Sequence, residues 1–330
     1  MLNQIWQIGI QWILALQSIG SWATGPMQFF TFLGNENFFI FVAPAFFWCI
    51  DAGLGIRLGL LIITSSNLNQ AFKLAFTGPR PFWIDARVQV LAAETTFGLP
   101  SGHAQNAVAL WGYLATRVRN GWFWLLSLFL IFMIGLSRIY NGVHFPSDVL
   151  VGWLLGALLL LAYIVFEKPV QDWLKNRNPG QQILAALAGS LGLLLINFLI
   201  LLSLANWTIP PEWLAIAAQT APHLPPNPLD MSGVVSTAGI FFGLASGWIW
   251  LRGRGGFDAS GPLLQRVARF LIGLVGVAIL WQGLGMVLPR GEALVPFVLR
   301  YLRYALVGIW VTGLAPYLFV RLRLAEPHHG

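Results

Sequence analysis

Long apolar segments recur along the whole chain, and most have about the length needed to cross a bilayer. A transmembrane helix needs about 20 mostly apolar residues. The pattern therefore predicts an all-α fold, a polytopic membrane helix bundle with about nine transmembrane helices. The predicted segments lie near residues 36–52, 56–77, 102–118, 122–141, 146–166, 182–205, 232–251, 268–288 and 299–320.

The N-terminal segment, residues 1–25, has a different pattern. Gln4, Gln7 and Gln11 recur at helical spacing against Ile8 and Trp12. This pattern is typical of an amphipathic helix that lies in the membrane interface. An ordinary helix packed against the bundle fits it equally well. The segment has no basic n-region and no small-residue cleavage site, so we do not expect a secretory signal.

The composition supports a membrane protein. Of the 330 residues, 57% are hydrophobic and 9% are charged, whereas a soluble domain carries about 25% charged residues. The formal net charge is +7, but arginines scattered at helix ends indicate topology, so we expect the lipid bilayer and no nucleic acid as a partner. The single cysteine, Cys49, excludes an intrachain disulfide and a cysteine-rich metal site.

The distribution of basic residues predicts the orientation. No Lys or Arg precedes Arg57, and with the N-terminus outside most of the basic residues fall in the inner loops. The positive-inside rule therefore favours an outer N-terminus and an inner C-terminus. Arg300 and Arg303 fit this topology worst. Segment 206–231 has no basic residue and several prolines, so we predict an outer loop there.

Ionisable residues collect at one end of the predicted bundle. Two crossings separate the third predicted helix from the fifth, so both begin at the same outer boundary. The residues that this topology brings to one face are Lys73, Arg80, His103, Arg138, His144 and Asp148. Ionisable residues in membrane segments are costly and indicate a functional site.

The chemistry of this group suits a dense anion. Arginine holds phosphate oxygens in bidentate fashion. Ser101 is a good N-cap, and Gly102 lets the backbone approach an anion at the helix N-terminus. Asp148 lies four residues after His144 and can accept a hydrogen bond from Nδ1, which leaves Nε2 free as a nucleophile.

The carboxylates near these residues do not predict a metal site. No cluster of carboxylates suits Mg²⁺ or Zn²⁺, so we expect no metal and no cofactor. Asp85, Arg87 and Glu94 lie in the loop between the second and third predicted helices. We interpret these three residues as a solvated loop face, with contact to a substrate as the alternative.

Three ordered motifs carry a resemblance to a known family. They are Lys73-x6-Arg80-Pro81, Pro100-Ser101-Gly102-His103 and Ser137-Arg138-x5-His144-x3-Asp148. Together they resemble the three signatures of the type 2 phosphatidic acid phosphatase and vanadium haloperoxidase superfamily. The resemblance covers about residues 36–166, and it implies the family's catalytic helical core in the N-terminal half.

The resemblance also implies a role for each matching residue. His144 would attack phosphorus and form a phosphohistidine, Asp148 would orient His144, and His103 would protonate the leaving oxygen and then activate water. The phosphate oxygens would be held by Lys73, Arg80, Ser101, Gly102 and Arg138. His103 would start protonated and His144 neutral. We expect Asp148 to raise the pKa of His144, and we expect a bell-shaped pH profile.

The chain divides into three predicted parts: an interfacial segment (1–25), a catalytic membrane core (26–170) and a C-terminal membrane extension of four helices (171–330). Nine helices, an outer N-terminus and the stretch "RPFW" after the first motif resemble the glucose-6-phosphatase branch. The extension is interpreted as a lipid-facing annex, a dimer surface or a transport-like module, so homodimerisation is left open.

These features predict a metal-independent membrane phosphatase that hydrolyses a lipid phosphate monoester or diphosphate. A lipid is favoured because a site at the membrane boundary can admit a headgroup from the side. The alternatives are a sugar-phosphate phosphatase, a lipid phosphotransferase and, outside enzymes, an anion transporter. We expect the active site on the periplasmic or extracellular face of a prokaryotic cell membrane, or on the lumenal face of an endomembrane.

Overall fold

The computed structural model describes residues 2–327, and within this range it is helical with no β-strand. The first seven α-helices are α1 (Leu2–Gln17), α2 (Thr24–Phe32), α3 (Glu36–Cys49), α4 (Ala52–Phe76), α5 (Gly102–Ala107, continued by a π-helical Val108–Gly112 and by Tyr113–Val118), α6 (Gly121–Tyr140) and α7 (Pro146–Lys175). Short 3-10 helices occupy Ser21–Ala23 and Pro81–Trp83.

The remaining helices are α8 (Pro179–Ser203), α9 (Pro211–Thr220), α10 (Ser232–Arg252), α11 (Leu263–Ala278, with a π-helical Ile279–Gly283 and Leu284–Val287) and α12 (Leu294–Ile309, with a π-helical Trp310–Leu314 and Ala315–Arg321). A π-helical segment adds a residue to one turn and is rare outside such short insertions. In α5, α11 and α12 the α-helical and π-helical segments follow one another without a break, so these helices are continuous but not uniformly α-helical.

The chain is an integral membrane protein. Among the described residues, six helices are long and apolar enough to cross a bilayer, namely α6, α7, α8, α10, α11 and α12. Helices also occupy the other three predicted ranges. Of these, α3 is short, and α5 ends within two turns of its π-helical segment. The third, α4, carries polar residues such as Asn67 and Asn69. Six of the nine predicted helices are therefore candidate membrane spans, and the count of nine is not confirmed.

The residues form two compact units. Unit 1 comprises Met1–Phe38, Leu68–Ala162 and Asn197–Asp230, and unit 2 comprises Phe39–Asn67, Tyr163–Ile196 and Met231–Gly330. All the predicted site residues belong to unit 1. The division into 1–25, 26–170 and 171–330 stays a prediction.

In unit 1, α1 packs against α6. Ile10 and Ile13 are fully buried, and Gln17 Nε2 donates hydrogen bonds to the carbonyls of Gln89 (2.8 Å) and Tyr140 (2.9 Å). Trp12 on the other face is 61% exposed. The helix therefore has one packed face, and its position in the membrane interface stays a prediction.

The predicted outer loop 206–231 contains α9, which packs against the 3-10 helix that follows Arg80. The Trp213 and Trp83 rings lie 6.1 Å apart, and Thr220 Oγ1 donates to the Phe82 carbonyl at 2.9 Å. Trp207 meets Phe97 edge to face at 5.1 Å. These contacts hold the loop between α4 and α5 in place within unit 1.

In unit 2, α10 and α12 pack closely through small residues. A Cβ atom placed on Gly243 would lie 2.1 Å from the Ala305 carbonyl oxygen, which is a backbone atom that cannot move away cheaply. Small residues at helix interfaces let two backbones approach in membrane proteins, where packing rather than hydrophobicity drives association. Gly243 is therefore a point where the two helices have no room for any side chain.

The contact predicts a stability difference between two glycine substitutions. Gly243→Ala should lower the free energy of unfolding by about 1–3 kcal/mol because of overpacking. Gly192 lies inside α8 with nothing within 4 Å of its Cβ position, and Gly192→Ala is the matched control because alanine favours a helix by about 1 kcal/mol. Thermal unfolding in detergent should show a lower Tm for Gly243→Ala alone, and equal Tm values for the two variants would contradict the packing described here.

Candidate active site

The three motifs meet in unit 1 at the ends of helices. Lys73 lies in the last turn of α4, Arg138 in the last turn of α6 and Asp148 in the first turn of α7. Ser101 caps the N-terminus of α5, and its backbone N–H donates to the Asp148 carbonyl at 3.0 Å. This bond joins the second motif directly to the third.

The Arg80 side chain is the centre of the arrangement. It is fully buried, and its guanidinium donates to the carbonyls of Thr96 (2.6 Å), Val143 (2.8 Å) and Phe97 (3.1 Å). The same group forms an ion pair with Glu94 at 2.9 Å. Arg80 thus ties the loop before α5 to the connection between α6 and α7, which carries His144.

Glu94 joins two of the predicted phosphate-binding cations. Its Oε2 pairs with Arg80 and its Oε1 accepts from Arg138 Nη2. Burial alone would raise the pKa of the Glu94 carboxyl, but the charges of Arg80 and Arg138 outweigh it and hold that pKa well below its usual range. The carboxylate is therefore ionised at neutral pH, and it fixes the two guanidiniums relative to each other.

The sequence interpretation of Glu94 as a solvated loop face is wrong, because its side chain is only 19% exposed and lies between two buried arginines. The same interpretation is confirmed for Arg87, whose side chain is 67% exposed, but not for Asp85, whose side chain is only 14% exposed and pairs with Arg87 at 2.6 Å. The sequence does hold a signal for the different partners of the two carboxylates, since Arg87 lies two residues from Asp85 and Glu94 has no basic residue nearby in the chain.

His144 faces Asp148 on one side and Arg80 on the other. His144 Nδ1 lies 3.4 Å from Asp148 Oδ2, and His144 Nε2 lies 3.4 Å from Arg80 Nη1. Because a guanidinium can only donate, the contact favours a lone pair on Nε2 and the proton on Nδ1, towards the carboxylate. Asp148 Oδ2 is itself held by the Phe145 backbone N–H at 2.9 Å.

The surroundings of His144 correct one expectation. Burial lowers the pKa of the His144 imidazole well below its usual value, and the charges of Arg80 and Arg138 lower it further. The sequence predicted a pKa raised by Asp148 instead. A neutral imidazole with Nε2 unprotonated is the form that a nucleophile needs.

The connection that carries His144 turns at a glycine. Gly142 has a φ of 71°, in the left-handed region, and a Cβ there would lie 2.3 Å from the Gln89 carbonyl oxygen. Only glycine adopts this conformation without strain at so close an approach. The turn brings the chain from Arg138 back to His144 within the span of one short connection.

Lys73 and the start of α5 complete the group. Lys73 Nζ donates to Thr96 Oγ1 at 2.9 Å, and Arg80 Nη2 lies 3.3 Å from the same hydroxyl. At the start of α5, Ser101 Oγ accepts from the Ala104 N–H at 3.5 Å, so the first turn points N–H groups outward from the helix end. His103 follows Gly102 there, and its buried Nε2 forms no hydrogen bond with any residue in the described range. Burial and the charge of Arg138 lower the pKa of the His103 imidazole well below its usual value, so the expectation that His103 starts protonated is wrong for the site without substrate.

No three His, Cys, Asp or Glu side chains within residues 2–327 cluster as metal ligands. The expectations of no metal and no cofactor stay predictions. What the arrangement offers chemically is a neutral imidazole, a partner carboxylate, a second imidazole at a helix N-terminus and three cations that are linked through Thr96 and Glu94.

Two family models match the chain. Residues 54–171 match the PAP2 superfamily, and residues 235–327 match the transmembrane extension of PAP2 superfamily phosphatases. The first match contains all three motifs. The chain belongs to the PAP2 superfamily. The extension model covers the region for which the sequence left the role open.

Relatives within the superfamily act on different molecules, as their names state. The chain is 32% identical to glucose-6-phosphatase 3 of Homo sapiens over 44% of this chain and 49% of that protein. It is 25% identical to glucose-6-phosphatase 2 of Homo sapiens over 92% of this chain and 94% of that protein. It is 30% identical to sphingosine-1-phosphate phosphatase 1 of Rattus norvegicus over 46% of this chain and 35% of that protein. The chain thus spans about half the length of the first of these relatives.

The ion pairs of Glu94 predict a strong effect of removing its charge. Glu94→Gln should reduce kcat/KM for a phosphate ester by about 100-fold, because displaced guanidiniums misplace the reacting group. It should also lower Tm, because it leaves buried charges without a partner. The measurement is steady-state kinetics and thermal unfolding of the purified protein.

Asp85→Asn is the matched control, since it removes a carboxylate from the same loop whose partner is exposed. It should leave both quantities near their wild-type values, and Glu94→Asp should recover part of the loss. Wild-type kinetics in Glu94→Gln would contradict the assigned function of the carboxylate.

The lowered pKa of His144 predicts the acid limb of the pH profile. A nucleophilic imidazole loses activity as the pH falls through its pKa, so a lowered pKa keeps the enzyme active below the ordinary histidine value of about 6.5. The measurement is kcat/KM against pH, corrected for ionisation of the substrate phosphate. An acid limb at or above the ordinary histidine value would contradict a neutral, buried nucleophile.

Proposed function

We propose that this chain is a membrane phosphatase that hydrolyses a phosphate monoester through a phosphohistidine on His144. The observation that carries the proposal is the buried His144, whose Nε2 lies 3.4 Å from Arg80 Nη1 while its Nδ1 lies 3.4 Å from Asp148. An imidazole so oriented has its Nε2 lone pair directed towards a cation that would hold a phosphate oxygen.

In the first step, His144 Nε2 attacks phosphorus, the P–N bond forms and the P–O bond to the leaving group breaks. The negative charge of the bound phosphate raises the pKa of His103, which takes up a proton from solvent and donates it to the leaving oxygen. Asp148 stabilises the charge that develops on His144 through Nδ1. In the second step, His103 takes a proton from water, the water oxygen attacks phosphorus and the P–N bond breaks. The products are an alcohol and inorganic phosphate.

Charge neutralisation supplies much of the catalysis in phosphoryl transfer, which needs positioning more than covalent chemistry. Here Lys73, Arg80 and Arg138 would hold the phosphate oxygens together with Ser101 and the Gly102 N–H. Glu94 would keep the two arginines in register without contacting phosphorus. We therefore expect the reaction to proceed without a metal ion.

A lipid phosphate is the substrate class that we propose first. Arg138 and Asp148 lie at the ends of α6 and α7, two helices with the length and hydropathy of membrane spans. Both helices carry exposed apolar side chains, such as Phe132 (52% exposed) and Leu150 (60% exposed). A headgroup could therefore reach the site from the bilayer while its acyl chains stay in lipid.

A sugar phosphate is the second candidate, and a specific observation favours it. The match to human glucose-6-phosphatase 2 extends over 92% of this chain, whereas the match to sphingosine-1-phosphate phosphatase 1 covers 46%. A match of that length extends well beyond the three motifs, into the C-terminal half of the chain.

The positions of the ionisable groups favour an enzyme over an anion transporter. Transporter sites lie near the bilayer midplane on broken helices, whereas Lys73, Arg138 and Asp148 occupy terminal turns of their helices. The predicted topology puts these turns on the outer side of the membrane, which is where we propose that the substrate is cleaved.

The proposal is tested with purified protein in detergent with EDTA present. Phosphatidate, sphingosine 1-phosphate, an isoprenoid diphosphate and glucose 6-phosphate are compared by release of inorganic phosphate, with an added lipid alcohol to detect transfer instead. We expect release that resists EDTA, is inhibited by orthovanadate and has its highest kcat/KM with a lipid monoester. A preference for glucose 6-phosphate would select the second candidate.

His144→Ala should abolish release with every substrate. His223→Ala is the control, because His223 lies exposed in segment 206–231 and has no place in the proposed chemistry. Turnover near the wild-type rate in His144→Ala would refute the mechanism for all the substrates at once.

A further inference from the structure

A second cluster of arginines lines a cavity of about 350 Å³ in unit 2. The cavity lies between the end of α11 and the start of α12. Arg290, Arg300 and Arg303 line it together with Trp281 and Met286, and none of its nine lining residues is acidic. The two residues that fit the predicted topology worst, Arg300 and Arg303, are thus members of one cluster.

The charges of this cluster are not neutralised by the protein. Within the described range, none of the three guanidiniums forms an ion pair. Arg290 Nη2 donates to the Gly285 carbonyl at 3.3 Å, and Arg300 Nη1 lies 3.4 Å from Ser236 Oγ. Arg303 stacks on the Tyr304 ring at 4.8 Å, and its buried Nε has no hydrogen-bond partner among the described residues.

Three like charges around one cavity repel each other, and the cost is largest where water is partly excluded. The predicted topology gives no reason for them, because the loop between α11 and α12 lies on the outer side, where basic residues are disfavoured. An anion in the cavity would remove the repulsion and use donors that the protein leaves free.

We propose that this cavity binds a phosphate group. Arginine is the side chain best suited to phosphate oxygens, because its guanidinium presents parallel donors and stays charged. The volume lies at the small end of ligand sites, which suits a phosphate with a small polar substituent. The group belongs either to a phospholipid headgroup or to free inorganic phosphate.

The apolar part of the cavity distinguishes it from a simple anion site. Met286 is 78% exposed and Val287 is 81% exposed at the end of α11, and Leu294 is 78% exposed at the start of α12. These side chains lie beside the arginines along the chain. Acyl chains of a lipid could contact them while the headgroup phosphate binds the guanidiniums.

A local probe tests the proposal apart from the active site, which also binds phosphate. Because Cys49 is the single cysteine, Cys49→Ala combined with Met286→Cys allows an environment-sensitive dye to be placed at the cavity. The dye is followed while phosphatidylglycerol, phosphatidylcholine or inorganic phosphate is added to the full-length protein. We expect saturable binding of phosphatidylglycerol or inorganic phosphate. The ligand with the lower Kd shows whether the phosphate group belongs to a phospholipid or is free phosphate.

Arg300→Gln with Arg303→Gln should weaken that binding at least tenfold, since hydrogen bonds to charged groups are removed. Arg252→Gln with Arg254→Gln removes the same charge at the far end of α10 and should leave the Kd unchanged. Arg290→Gln, in the exposed loop, should weaken binding by a smaller factor. It replaces the double variant in this test if the double variant does not fold. Equal Kd values in the wild type and the cavity variants, or saturation by phosphatidylcholine alone, would overturn the proposal.

Discussion

The structure of unit 1 depends on how one buried guanidinium is satisfied. Arg80 is fully buried, and an unpaired charge there would be very costly. Its donors reach three carbonyls, a hydroxyl and a carboxylate, which belong to the loop before α5 and to the connection after α6. The loop is therefore shaped around Arg80, and His144 is placed by the same residue that would bind its substrate.

The sequence predicted that the residues of the three motifs come together, because its information there is local. Each motif has short internal spacing, and the helix ends decide which face each motif reaches. Glu94 was not predicted to be a buried residue of the site, because it belongs to no motif and its partners, Arg80 and Arg138, are distant in the chain. The pKa of His144 was predicted in the wrong direction for a related reason. Burial and the charges of the arginines are tertiary effects, whereas the sequence shows only Asp148, four residues away in the chain.

The helix count and the C-terminal half were harder to predict. Hydropathy places a helix in each predicted range, yet it does not decide whether α3, α4 and α5 cross the bilayer. The predicted outer loop contains α9, whose contacts with Trp83 and Phe82 join it to the site region of unit 1. In unit 2, Arg300 and Arg303, which fit the predicted topology poorly, line one cavity that the sequence alone does not reveal.

The proposed mechanism requires that His144 carry the phosphoryl group between its two steps. The most direct measurement is rapid mixing with a radiolabelled phosphate ester, followed by an alkaline quench and mapping of the label. We expect acid-labile label on His144, with more of it in His103→Ala because hydrolysis of the intermediate slows. Label on another residue, or wild-type turnover with no labelled protein at any time, would contradict it.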